Sequence, residues 1–137
     1  MSFVLGNSVA LTWCFEDERT PATTALLERV AESGALAPWL WPLEAMNGLL
    51  VAERRGRLDA RRQHRLAGFL RALPISLDDE TTNQAWTATM GLAERFALSA
   101  YDAAYLELAE RHHLPLASLD GDLRAAATVL GLAVLGS

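Results

Sequence analysis

Short apolar runs alternating with amphipathic stretches set the tightest limit on how this chain folds. Phe3-Val4-Leu5, Leu36-Ala37-Pro38, Pro74-Ile75-Ser76-Leu77, Leu114 to Leu119 and Leu132-Ala133-Val134-Leu135 read as strands. Between them lie helical patterns. Ser8 is placed to cap a first helix reaching Trp13 to Phe15. Pro21 opens a second, with Ala22, Leu26, Leu27, Val30 and Ala31 on one face and a stop at Gly34. A third starts around Pro42 and runs to about Arg55, before Gly56. Asp59 caps a fourth through Leu73, and Asp79 or Thr81 starts a long helix ending near Phe96. Ser99 begins another through His112, and the last spans Asp120 to Leu130. This alternation predicts one α/β domain over residues 1–137, a short parallel central sheet flanked by helices in three layers. Right-handed crossovers then bring the carboxyl ends of the strands and the N-termini of the following helices to one edge, where a ligand is expected.

Composition narrows the chemistry. All 12 basic residues are arginine, so sites that depend on lysine are excluded: a P-loop ATPase, a kinase, a Schiff-base enzyme, a receiver-like phospho-acceptor. The net charge of −5 argues against a generic nucleic-acid binder. Even so, Arg54, Arg55, Arg57, Arg61, Arg62, Arg65 and Arg71 lie close together in sequence. They read either as a phosphate-contacting cluster or as a solvated helix face. Cys14 is the single cysteine and falls on an apolar helix, which suits a core position and a reducing cytoplasm. No apolar run approaches the roughly 18 residues of a membrane span. No secretory leader is expected either, since the first residues already read as a strand.

Acids gather at the expected ligand edge. Glu44 is in the first turn after Pro42, Asp102 in the first turn after Ser99, Asp120 directly follows a strand, and Asp122 lies two residues on. Singly, each is a reasonable cap or dipole residue. Together they would repel one another and raise each other's pKa, an arrangement normally offset by a hard cation. Oxygen-only ligands favour Mg²⁺ or Mn²⁺. The histidines offer no zinc spacing: His112 and His113 are adjacent and His64 stands alone. A carboxylate-held cation suits phosphodiester hydrolysis.

Three motifs occur in order: Glu44-Ala45-Met46-Asn47, Asp102-Ala103-Ala104-Tyr105 and Ser118-Leu119-Asp120. With Leu98 to Tyr105 and Leu114 to Asp120, they make essentially the whole chain resemble the PIN-domain ribonucleases, VapC toxins in particular. The opening strand resembles the family too, but Gly6 stands where the family has its first aspartate, and Asn7 is one residue off, with its side chain expected to point elsewhere. The resemblance implies a Mg²⁺-dependent (Mn²⁺ possible) endoribonuclease of a toxin–antitoxin pair. Glu44, Asp102 and Asp120 would hold the metal, Asp122 would act through water or a second ion, and Ser8, Asn47 and Ser118 would support them. Arg54, Arg55, Arg57, Arg61 and Arg62 would be available to RNA.

The resemblance also implies a VapB-type antitoxin bound in a groove to which Trp13, Trp39, Leu40, Trp41 and Met46 could contribute, with core packing expected for at least two of the tryptophans. It further implies a cytoplasmic homodimer. With Gly6 in place of a ligand, the expectation is an inactive or weakened enzyme. The alternative is a degenerate PIN module that binds antitoxin or RNA without cutting.

Overall fold

The computed structural model describes residues 2–137. Strands β1 (Val4–Leu5), β2 (Ala35–Pro38), β3 (Ile75–Asp78), β4 (Leu116–Ala117) and β5 (Val134–Leu135) form one parallel sheet in the order β3-β2-β1-β4-β5. The chain steps outward from β1 through β2 to β3, then crosses back to place β4 on the other side of β1. The strand order therefore reverses between β1 and β4, and a crevice opens there at the strands' carboxyl ends. Val4 pairs with Leu36 on one side and Leu116 on the other, and Leu5 pairs with Ala117. The expected α/β architecture is the one observed.

The helices are α1 (Asn7–Thr12), α2 (Pro21–Ser33), α3 (Trp41–Arg54), α4 (Ala60–Ala72), α5 (Thr81–Gln84), α6 (Met90–Phe96), α7 (Ala100–His112) and α8 (Gly121–Val129). Local chemistry accounts for many boundaries. Thr20 and Thr23 form a capping box ahead of Pro21, and Gly34 ends α2 at φ +73°, a conformation that L side chains adopt only at a cost. Asp59 accepts the Arg62 N–H at 2.7 Å and Ser99 the Asp102 N–H at 3.1 Å, the caps expected for α4 and α7.

Several expectations are corrected. Ser8 does not cap α1: Gly6 precedes the helix in an extended conformation, and Ser8 lies within the first turn. Helix α1 stops at Thr12, and a 3₁₀ turn follows at Glu16–Glu18. The long helix ending at Phe96 is interrupted by a π-helical segment, Ala85–Thr89. Strands β4 and β5 are shorter than their apolar runs, because a ladder extends only as far as its neighbour, and β1 turns into α1 after two residues.

The core forms where α7 crosses the sheet over β2, β1 and β4. Ala103 to Ala109 are all buried, together with Phe3, Val4, Leu5, Val9, Leu49 and Leu116. Trp13 and Trp41 are buried as expected, and the Trp13 indole N–H donates to the Thr23 carbonyl at 2.8 Å. Cys14 is also core, and burial pushes its thiol up to about 11. Among the described residues, no helix is long and apolar enough to cross a membrane.

One charge is buried within α7: Glu107 is 4% exposed. Arg111, one turn on, donates to it from Nε at 2.8 Å and Nη2 at 2.9 Å. The same guanidinium reaches Asp78 at the end of β3, at 2.6 and 3.1 Å. Burial opposes ionisation of Asp78, but donation from Arg111, Thr81 and the Glu80 N–H outweighs it and holds the carboxyl below its ordinary value. Thr81 Oγ1 accepts the Trp39 N–H at 3.1 Å, so the network joins α7 to the ends of β2 and β3.

Arg111→Met leaves two poorly hydrated carboxylates without their cation, so thermal or urea unfolding should show a loss of about 3 kcal/mol at pH 7. A depressed aspartate contributes stability above its unfolded value, 3.8, and loses it as pH falls through the folded value. The gap between native and variant proteins should therefore close below that pH.

Candidate functional site

The crevice between β1 and β4 holds a recess of about 260 Å³. Six elements contribute to it. Gly6 follows the end of β1, and α1 begins with Asn7 and Ser8. α3 brings Glu44 in its first turn, and α7 brings Asp102 and, one turn on, Tyr105. The end of β4 adds Ser118 and Asp120, and Leu123 of α8 packs beside them. Glu44, Asp102 and Asp120, distant in sequence, thus meet at the predicted edge of the sheet.

Their electrostatics follow from burial. Glu44 and Asp102 are partly buried, and desolvation raises both carboxyls above their ordinary values. Charge repulsion adds to this: Asp102 acts on Glu44, and Asp120 and Asp122 act on Asp102. The Tyr105 phenol stands beside Glu44, yet no hydrogen bond is completed between them. The Tyr105 hydroxyl and Glu44 Oε1 are both buried without a partner. Tyr105 is 2% exposed, and burial beside these acids raises its pKa far above the ordinary phenol value, keeping it protonated.

The supporting residues depart from expectation. Ser8 Oγ accepts the Leu119 N–H at 2.9 Å, and Ser118 Oγ accepts the Asp120 N–H at 3.1 Å, so both hydroxyls brace the backbone after β4. Asp120 caps α8 through Oδ2, which accepts the Leu123 N–H at 2.8 Å. Asp122 and Asn47 are exposed and do not line the recess. Asn7 does line it, and its Oδ1 is buried without a partner. The expectation that Asn7 points elsewhere treated it as a strand residue; it is the first residue of α1, where strand alternation no longer applies.

The five arginines named for RNA stand away from this recess. Glu44 is in the first turn of α3 and Arg54 closes the same helix, about 15 Å along it at 1.5 Å per residue. Arg57 pairs with Asp17 and Glu18 beyond the far end of α1 and lies over the Phe15 ring at 4.1 Å. Arg55, Arg61 and Arg62 are exposed in the same region, between α3 and the start of α4. Arg124, which sequence reading left aside, is closer to the site. It donates to the Ser118 carbonyl at 2.7 Å and the Leu135 carbonyl at 3.2 Å, tying the turn after β4 to the C-terminal strand.

The donor set is all oxygen, the kind that Mg²⁺ or Mn²⁺ prefers. Glu44 Oε1 and Asn7 Oδ1 are oxygens of this set left without a protein partner. Among the described residues, no three His, Cys, Asp or Glu side chains are grouped so as to hold one ion.

A family model described as the PIN domain matches residues 7–129. The chain belongs to the PIN-domain family. Its fold is also that of three solved structures. PAE2754 from Pyrobaculum aerophilum is 20% identical, with 96% of this chain and 93% of that one covered and a TM-score of 0.69. VapBC2 from Rickettsia felis, bound to a DNA fragment from its promoter, is 15% identical, with 100% and 99% covered and a TM-score of 0.67. FitAcB from Neisseria gonorrhoeae is 16% identical, with 96% and 95% covered and a TM-score of 0.66. No curated protein matches the chain.

Carboxylates with raised folded-state pKa values destabilise the fold while ionised, so stability falls as pH rises from the unfolded toward the folded value. Replacing either by its neutral amide removes that cost. Glu44→Gln and Asp102→Asn should each raise Tm at pH 7 by about 2–5 °C in chelator. The gain should fade on acidification toward the ordinary values of 4.5 and 3.8.

Proposed function

We propose that this chain is a PIN module of the toxin–antitoxin kind that engages a VapB-type antitoxin through the acidic edge of its sheet and does not turn over RNA. The observation that carries this reading is the state of the carboxylates. Three border one recess, yet one of them caps a helix, no three are grouped on a common point, and Gly6 stands at the position of the family's first aspartate.

The partner is supported by the VapC-like motifs and by the likeness in fold to the VapBC2 and FitAcB structures. It is also supported by an apolar groove of about 400 Å³ between α3, α4 and the β3 edge. Trp41 and Met46 line that groove, and Met46 is 47% exposed, so two of the residues named for a partner surface fall together. A homodimer is the second association in this reading, tested by light scattering against the 14.9 kDa monomer mass.

The other reading, a weakened Mg²⁺-dependent endoribonuclease, is favoured by the mutual repulsion of Glu44, Asp102 and Asp120, which a bound cation would relieve. Incubation of the native chain with a mixed RNA pool in Mg²⁺ and in EDTA separates the two. The RNA should remain equally intact in both. Cutting that requires Mg²⁺ and stops with EDTA would sink the binding-module reading and establish the nuclease.

A further inference from the structure

Gly6 adopts φ −73° and ψ 146°, an extended conformation open to any residue, so its backbone does not call for glycine. Its surroundings do. A β-carbon built at Gly6 would stand 2.4 Å from the Ala117 carbonyl oxygen and 3.6 Å from the Ser118 Cα. The first distance is far inside van der Waals contact, and the obstructing atom is backbone, with no rotamer to relieve it. The same oxygen accepts the Gly6 N–H at 2.8 Å, so the approach is part of the β1–β4 pairing. One further contact holds the end of β4 against α1, and another ties it to the C-terminal strand. The Leu119 N–H donates to Ser8 Oγ, and Arg124 fastens the Ser118 carbonyl to that of Leu135.

We infer that position 6 is closed to any side chain, because Gly6 and Ser8 keep the end of β4 seated on the start of α1 while Arg124 ties the same turn to the C-terminal strand. The acid missing from the recess is therefore not restored by a single exchange. The glycine is integrated into the packing of this chain and is not a removable point change. This deepens the reading of the recess as an incomplete centre and rests on that reading for its functional meaning, while the steric claim stands by itself.

Thermal melts in EDTA and in Mg²⁺ or Mn²⁺ test the closure. Gly6→Ala should lower Tm by about 4–10 °C, the range for forcing atoms into a filled site in a domain of this size. The control is Gly68→Ala, at an exposed position of α4 where an added β-carbon meets nothing within 4 Å; it should melt at or above the native temperature. Gly6→Asp should lose at least as much as Gly6→Ala, with no recovery on adding the cation.

In a Ser8→Ala background the cost of Gly6→Ala should shrink, because the β4 end is then freer to yield. An insoluble Gly6→Ala beside a soluble Gly68→Ala counts for the closure. A Gly6→Ala protein that melts like the native one, or a Gly6→Asp protein whose Tm rises with Mg²⁺, overturns it. Those melts are independent of whether the native chain cuts RNA, so the inference and the proposed function can fail separately.

Discussion

Helix α7 is laid across three strands and buried from Ala103 to Ala109, and the cost of doing so shapes much of the molecule. Apolar residues and alanines make most of that burial favourable. Glu107 does not: a carboxylate at 4% exposure is costly to bury without a cation and hydrogen bonds beside it. Arg111 supplies both, and by reaching Asp78 as well it ties the helix to the edge strand β3. A helix fixed in this way presents Asp102 and Tyr105 to the crevice as part of a rigid body. The recess thus inherits its geometry from the core beneath it.

Within the recess, like charges are brought together without compensation. Desolvation and repulsion raise Glu44 and Asp102, while buried Tyr105, Glu44 and Asn7 each keep a polar atom without a partner. Such groups weaken a fold, and their persistence at one edge marks a place adapted to something other than stability. The backbone has meanwhile closed on the position where the family carries another acid. Ser8 and Ser118 steady the turn after β4, so hydroxyls expected to support ligands act as braces.

Much of the fold was legible because its signals are local. Thr20-Pro21, Asp59 and Ser99 start helices by supplying side-chain acceptors or a preset φ, and Gly34 ends one by accepting φ +73°. The errors arose where the deciding contact is remote. Ser8 looks like a cap in sequence, but its hydroxyl meets Leu119, 111 positions away. Apolar flanks of β4 and β5 resemble strand until the length of the neighbouring strand limits the pairing. The π-helical Ala85–Thr89 differs from an α-helix by one hydrogen-bond step, which a hydrophobic period does not resolve. Glu44, Asp102 and Asp120 stood out because each follows a helix start or a strand end; Asn7 has a similar place but was read with strand alternation, and Arg124 carries no such mark.

By itself the sequence determined the class of fold, the helix-start and strand-end positions of Glu44, Asp102 and Asp120, and the absence of lysine chemistry, since these depend on periodicity, capping and composition. The resemblance to the PIN family added that Gly6 stands at the position of the family's first aspartate. Only the tertiary structure decided what that glycine means, because the obstruction is a carbonyl oxygen contributed by residue 117 to the space beside residue 6. The fate of the arginines was settled in the same way: the length of α3 separates them from the carboxylates. Neighbours in space that are far apart in the chain leave no pattern in either segment, and this site is made of them.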